Sequence, residues 1–302
     1  MITCEEIYDL HITGALESAL CEAYREIPLD SRNSMRKNDT PLHMACAFAD
    51  ENAVRILLER GADVNVRNDD GDTPLCVLAK RKCCGKETTI AGIAGLLVSK
   101  EARVPRSGKN TTALIEAVGN RHFLMADILL MSGCRIDSTN SNGNNVLHVI
   151  CQSAGDIAYD IKRTKERIAD FSERWYSEKD KREAYENMEY LEEADRQCFL
   201  TAKRILENGQ IDTEDKNNIG KTALDIAWET GARRIGALLS GQDPDTDELS
   251  ALIGGLDVFQ ALWYKDMIAL DAILRSGTEL QTVCEDKKLH DFKGRSPLAC
   301  AL

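Results

Sequence analysis

The sequence predicts an all-α fold: a solenoid of stacked helix-turn-helix units with polar turns, which carries an inserted antiparallel helical hairpin. Three observations predict it. A stretch that begins "DTPL" at Asp39 begins again at Asp72, which sets a period of about 33 residues. Each copy continues with apolar residues at the spacing of an amphipathic helix. Residues 155–198 interrupt this pattern and have two apolar seams of their own, at the alternating steps of three and four that coiled coils use.

Residues 1–37 are predicted to form an amino-terminal helical cap, because their apolar residues have the spacing of two amphipathic helices. The first full unit follows. Thr40 can cap its first helix, and Pro41 lies where a missing N–H group costs nothing. Gly61 ends its second helix, and a polar turn leads into the next copy. One unit alone leaves its apolar face in water, so only stacking makes it stable.

Copies of the TPL-like triplet begin at Thr40, Thr73, Thr112, Asn145, Thr222 and Ser296. The intervals between these positions are 33, 39, 33, 77 and 74. The interval of 77 is one period plus a segment as long as residues 155–198, and the interval of 74 corresponds to two units, one without its triplet. We therefore assign residues 38–154 to repeats 1–3 and the start of repeat 4, and residues 155–198 to the hairpin. Residues 199–302 are assigned to the rest of repeat 4, further degenerate repeats and the start of a last repeat or cap.

This unit resembles the ankyrin repeat, which has a 33-residue period and the pattern T-P-L-H-x-A. The first copy has the family's residues at Leu42, His43, Ala45, Gly61, Ala62 and Asn65. The resemblance covers nearly the whole chain apart from the hairpin. It implies that a partner binds along a concave face made of turn tips and first helices. It also implies that His43 and His148, at the T-P-L-H position, hold the turn.

The hairpin is interpreted as a lengthening of both helices of repeat 4. The first seam is Ile157, Ile161, Thr164, Ile168, Phe171 and Trp175. The second seam is Ala184, Met188, Leu191, Asp195, Cys198, Ala202 and Ile205. A turn at "SEKD", residues 177–180, would bring the basic residues 162–167 opposite the acidic residues 186–195. Two interpretations stay open, a recognition arm and a solvated extension without a partner, because such insertions cost little.

Composition limits the function. The formal net charge of −12 argues against general binding of nucleic acid or anionic membranes, since a basic face supplies most of that affinity. Eleven cysteines in 302 residues are too sparse for a small disulfide scaffold and indicate reduced thiols. The amino terminus is acidic and lacks a long apolar core, so it is a poor secretory signal, and no apolar run reaches the roughly 18 residues of a membrane span. The prediction is a soluble cytoplasmic monomer, with delivery into a host cell left open.

No catalytic, cofactor-binding or metal site is predicted. The sequence contains no P-loop, no H-E-x-x-H and no G-x-S-x-G pattern. His11, His122 and His290 have no regular spacing to carboxylates or cysteines. The adjacent Cys83 and Cys84 lack the C-x-x-C spacing of zinc or redox sites and are interpreted as loop thiols.

What remains is recognition of another protein or peptide. The resemblance assigns this role to residues on the turn tips, namely Arg36, Lys37, Asp69, Asp70, Asp72, Lys109, Asn142, Asn144 and Lys221. Their charge changes sign along the stack, which favours a specific partner over a repetitive polymer. Phe48 is added because an aromatic side chain at an exposed helix position indicates a binding role. Trp175 and Tyr176 are added because aromatic side chains near a hairpin tip are typical binding anchors.

Two functions are compatible with these patterns. The first is a non-catalytic scaffold that binds a partner protein through the concave face and the hairpin. The second is the regulatory or targeting part of a longer enzyme or effector whose catalytic part lies beyond residue 302. The last copy, which begins at Ser296 and stops at Leu302, favours the second. The fold alone does not identify the partner.

Overall fold

The computed structural model describes residues 2–82, 86–102, 113–172 and 177–241. The chain divides into two compact units, Met1–Gly236 and Ala237–Leu302, and the second is described only as far as Gly241. The fold is all-α, as predicted, since the described residues form α-helices and one short 3-10 helix and no strand. The degenerate repeats and the last repeat or cap predicted after residue 241 lie outside the described residues.

The first six α-helices are α1 (Cys4–Thr13), α2 (Glu17–Glu26), α3 (Pro41–Phe48), α4 (Glu51–Glu59), α5 (Pro74–Ala79) and α6 (Glu87–Ser99). The next six are α7 (Ala113–Gly119), α8 (Phe123–Met131), α9 (Val146–Ala169), α10 (Glu178–Glu207), α11 (Ala223–Thr230) and α12 (Arg233–Leu239). The 3-10 helix, Asp170–Ser172, follows α9. With 24 and 30 residues, α9 and α10 are much longer than the others, which have between 6 and 13.

The helices stack in two rows. The odd-numbered helices contact one another in chain order from α1 to α11, and the even-numbered helices do so from α2 to α10. Each odd-numbered helix from α1 to α9 also contacts the even-numbered helix that follows it. The amino-terminal helices α1 and α2 therefore pack as one more pair in the same two rows.

The triplets start helices, as the sequence indicates. Thr73, Asn145 and Thr222 cap α5, α9 and α11, and each side chain accepts a hydrogen bond from the N–H group of the third helical residue. Pro41 and Pro74 begin α3 and α5. Each cap satisfies an N–H group that has no partner within its helix, which is worth about 1 kcal/mol.

Two buried histidines join neighbouring units. The Nδ1 atom of His43 accepts from the N–H group of Thr40 at 3.2 Å, and its Nε2 donates to the carbonyl of Asp72 in the next turn at 2.9 Å. His148 donates from Nε2 to the carbonyl of Lys221 at 3.0 Å. These contacts confirm the structural role that the T-P-L-H position implies.

Asparagines that the sequence analysis missed also hold the turns. Asn68, Asn140 and Asn217 each lie five residues before a triplet, and each Oδ1 accepts two N–H groups of its own turn at 2.9–3.1 Å. The Nδ2 groups of Asn68 and Asn217 donate at 2.8 Å to Asp39 and Asn144 in the preceding turn. The sequence shows an asparagine five residues before the triplet in three copies, and this recurrence could have located them.

Acidification is expected to destabilise the chain in the range where histidines titrate. Burial lowers the pKa of His11, His43 and His122, because the imidazolium ion loses its hydration in the folded state. The unfolded chain therefore binds more protons below pH about 6.5, so this part of the stability is complete above that pH and is lost as the pH falls. The thermal midpoint should decrease between pH about 7.5 and about 5.5, and a constant midpoint would contradict the prediction.

Candidate protein-binding surface

The first two turn tips bind each other. Lys37 and Asp70 form an ion pair, and Asn38 donates from Nδ2 to a carboxylate oxygen of Asp69 at 2.7 Å. The N–H group of Asp69 also donates to the carbonyl of Lys37 at 2.9 Å. The change from basic to acidic tips therefore has a structural explanation, which is the pairing of one turn with the next.

Phe48 is only partly exposed, because the amino-terminal helix covers it. Its ring stacks on that of His11 with centroids 4.0 Å apart, and the ring of Tyr8 lies 5.6 Å away. The guanidinium of the exposed Arg36 lies 4.5 Å from the ring centroid of Tyr8. Phe48 is therefore less exposed than predicted: its ring packs α1 onto α3, and only the remaining surface is open to a partner.

The exposed position predicted for Asp72 is wrong. The residue is 3% exposed, two positions before α5, and its Oδ2 accepts from Nζ of Lys80 at 2.5 Å. Its Oδ1 has no hydrogen-bond partner among the described residues. The equivalent oxygens of Asp39 and Asn144 accept from an asparagine of the next turn. The corresponding residue here, Ser107, lies outside the described ranges, so this oxygen gives no evidence of a ligand.

The later tips also take part in contacts between turns. Asn142 is exposed, and its carbonyl accepts from the N–H group of Asn218 at 3.1 Å. Asn144 accepts from the next turn, as described above, and Lys221 pairs with Glu229 of α11. Three other predicted residues, Lys109, Trp175 and Tyr176, lie outside the described residues.

A depression of about 470 Å³ lies between the first two turns and the helices α5 and α7. Its charged lining residues are Lys37, Asp39, Asp70, Asp72, Lys80, Arg81 and Glu116. Lys37, Asp70 and Asp72 were predicted as binding residues, whereas Lys80, Arg81 and Glu116 were not. Lys80 and Arg81 lie one period of 33 residues after Ala47 and Phe48, and this spacing could have predicted them.

The long helices α9 and α10 pack side by side in antiparallel directions. Sγ of Cys198 lies 3.8 Å from the carbonyl oxygen of Ile150, and farther along, Nδ2 of Asn187 donates to Oγ1 of Thr164 at 3.1 Å. Along these helices the seam buries the side chains of Ile157, Ala184, Met188, Leu191 and Ala194. We call the described residues between 155 and 198 the helical arm. That the arm is an insertion into a repeat stays a prediction.

Ion pairs join the arm to the helices on both sides. Asp160 pairs with Arg121, which follows α7, at 2.9 Å, and Asp195 pairs with Arg234 of α12 at 2.7 Å. The Arg234 guanidinium also lies 4.5 Å from the ring centroid of Phe199. The arm is therefore held by polar contacts to the units before and after it.

The predicted position of the turn in the arm is wrong. Residues 177–180 begin α10: the N–H group of Ser177 donates to Asp180 Oδ2 at 3.0 Å, and Ser177 Oγ accepts from the N–H group of Asp180 at 3.2 Å. This reciprocal pattern is a capping box, in which a serine is followed three residues later by an acid.

The predicted charge pairing across the arm is also wrong. In the described part of the chain, no ion pair within 4 Å joins residues 162–167 to residues 186–195. Glu193 pairs instead with Arg196 on its own helix at 2.5 Å. The two charged segments face outward from the seam, so the apolar contacts select the pairing of the helices.

The described residues contain no group of three or more histidines, cysteines and carboxylates that could hold a metal ion. Cys83 and Cys84 lie outside them. Burial raises the pKa of Cys4 and Cys151 to about 12, which keeps these free thiols protonated. Within the described ranges, every helix is too short or too polar to cross a membrane.

The family model for the ankyrin repeat matches residues 37–69. This stretch contains the helix pair α3 and α4 and His43, whose contact with the next turn is described above. The chain contains an ankyrin repeat. Within it, the matched stretch corresponds to the first full unit of the stack.

Two relatives of this chain differ in the extent of their similarity. An ankyrin repeat-containing protein of Schizosaccharomyces pombe is 34% identical over 68 residues, which are 20% of this chain and 33% of the relative. The phosphocholine transferase AnkX of Legionella pneumophila is 26% identical over 201 residues, which are 62% of this chain and 20% of the relative. The matched part is therefore a minor share of each of these curated proteins.

Proposed function

We propose that this protein is an interaction scaffold that binds a partner protein through the face of turn tips and first helices and through the helical arm. It has no catalytic activity of its own in this proposal. The observation that carries it is the bonding of consecutive turns, as in the Lys37 to Asp70 ion pair and the Asn217 to Asn144 hydrogen bond. These bonds fix the tips in one array, and a surface ordered in advance loses less entropy when it binds.

The arm supports the proposal because it exposes large side chains on a supported element. Tyr159 is 65% exposed and Tyr185 is 56% exposed, although both belong to helices whose opposite sides are buried. Asp160 and Asp195 anchor the same helices to the units on either side. Exposed tyrosines on a fixed support are frequent centres of binding energy.

A second candidate function is the regulatory or targeting part of a longer enzyme. The similarity over 201 residues to a phosphocholine transferase favours it, because that enzyme is about five times as long as the matched stretch. Sequencing of the complete transcript tests this candidate. An open reading frame that ends at Leu302 and begins at Met1 would overturn it, and an appended catalytic domain would support it.

The scaffold proposal is tested by quantitative capture of proteins from a lysate of the source organism. Three baits are compared: the intact chain, a chain in which a short turn replaces residues 155–198, and a chain with Arg36→Glu and Asn142→Asp at two exposed tips. Thermal melts first establish that each variant folds. The proposal expects one partner that the intact chain captures and that at least one variant captures several-fold less. Equal capture by all three baits would contradict the assigned surfaces.

A further inference from the structure

The arm carries a positive segment in a negatively charged protein. Residues 162–167 contain four cations and one acid, a net charge of +3, whereas the whole chain has −12. The cations Lys162, Arg163, Lys165 and Arg167 are all exposed. A surface of this sign differs from its surroundings and attracts a negatively charged group selectively.

The described part of the chain supplies little to neutralise this segment. No ion pair within 4 Å involves Lys162, Arg163 or Lys165 there, although acidic residues are abundant on α10. Arg167 contributes to lowering the pKa of Asp180, which depends mainly on hydrogen bonds from Ser177. Three of the four cations are thus available to a partner, and none has to break an ion pair in order to bind.

An aromatic side chain lies beside two of these cations, Lys162 and Arg163. Tyr159 precedes Arg163 by four residues, so the two side chains lie on the same side of α9. The tyrosine is 65% exposed. Tyrosine and arginine are the residue types most often found at the energetic centre of protein interfaces.

We propose that Tyr159, Lys162, Arg163 and Lys165 form a docking surface for an acidic helical segment of a partner protein. This inference rests on the proposed function and specifies the chemistry of the partner. Six helical steps of 1.5 Å separate residues 159 and 165, a length of about 9 Å, which a short acidic helix covers with fewer than two turns. A nucleic acid is a poorer fit, because its long row of phosphates would extend over the acidic residues of α10 and meet the negative field of the whole chain.

The test measures binding of a synthetic peptide to the intact chain by NMR. The peptide is a helix of alanine and glutamate about 15 residues long with one central leucine, long enough to be partly helical alone. A peptide with glutamine in place of glutamate and a uridine oligonucleotide of equal charge are the comparison ligands. We expect the acidic peptide to shift the amide signals of residues 159–167. We expect its affinity to fall about tenfold in the triple variant Lys162→Glu, Arg163→Glu, Lys165→Glu.

A matched control variant has the same change of charge elsewhere. Lys100→Glu, Lys203→Glu and Lys216→Glu alter three exposed lysines outside the docking surface, and this variant should bind the acidic peptide nearly as well as the intact chain. Equal weakening in both triple variants would overturn the inference, because it would mean general charge attraction. Tighter binding of the oligonucleotide at residues 159–167 would overturn it as well.

The outcomes separate this inference from the proposed function. If the lysate experiment finds a partner that needs the arm while the acidic peptide does not shift residues 159–167, the docking surface is refuted and the scaffold function stands. If the peptide binds there as expected while all lysate baits behave alike, the docking surface is supported and the assigned scaffold surfaces are refuted.

Discussion

Replacing Gly155 with alanine should lower the free energy of unfolding by about 2–3 kcal/mol. A Cβ atom at this position in α9 would lie 2.2 Å from Cβ of Thr230 and 3.0 Å from its carbonyl oxygen. Thr230 is the last residue of α11, and its Oγ1 donates to the carbonyl of Cys151 at 3.3 Å. Because Cβ of Thr230 is bonded to the backbone, a rotation of the side chain does not relieve this contact, and α11 has to move.

The predicted loss of stability is opposite in sign to the usual effect of replacing glycine with alanine in a helix. Alanine is normally favoured over glycine inside a helix by about 1 kcal/mol. Gly95 in α6 is the matched control, because no atom lies within 4 Å of a Cβ built there. Urea denaturation should therefore show Gly95→Ala to be neutral or stabilising and Gly155→Ala to be destabilising. If both variants were equally stable, the close packing of α9 against α11 would be refuted.

The start of each unit could be predicted from the sequence because its causes are local. Thr73 and Pro74 determine where α5 begins through groups within three residues of each other. The periodic recurrence of the triplet then repeats this signal, and His43 follows from the same pattern. The seam of the arm was also predictable, because burial of Ala184 and Leu191 depends on a spacing that the sequence shows directly.

The environment of the candidate binding residues could not be predicted, because it depends on which groups of other units lie nearby. Lys37 meets Asp70 only because consecutive turns stack, and Phe48 meets His11 only because α1 packs onto α3. The buried position of Asp72 depends on how the chain enters α5. Sequence patterns located these residues within a unit and gave no information about their neighbours in the next one.

The partners of the charged residues on the arm could not be predicted from the sequence either. Heptad spacing fixes which residues enter the seam, whereas the direction of the flanking charges depends on the rotation of each helix about its axis. Residues 162–167 and 186–195 are therefore opposite in sign without being ion-paired in the described part of the chain. The motif at Ser177 was ambiguous in a different way, since a serine and an acid are common both in turns and at helix starts.

Replacing His43 with alanine is expected to lower the free energy of unfolding by about 3 kcal/mol. The imidazole is fully buried and satisfies the N–H group of Thr40 and the carbonyl of Asp72. Its removal leaves a cavity and removes a partner from two buried polar groups, each of which costs about 1–3 kcal/mol when it is left without a hydrogen bond.

The control for this variant is Asp225→Ala, at the same position of a later unit. Asp225 is exposed, and its carboxylate accepts from the N–H and hydroxyl groups of Thr222 at 2.9 Å, both within its own unit. Its removal should therefore cost clearly less than that of His43, because the lost bonds lie at an exposed helix start within one unit. Burial lowers the pKa of His43, so His43→Ala should also weaken the loss of stability below pH about 6.5. If both variants had the same urea midpoint and pH dependence, the hydrogen bond from His43 to the next turn would contribute nothing to the cohesion of the stack.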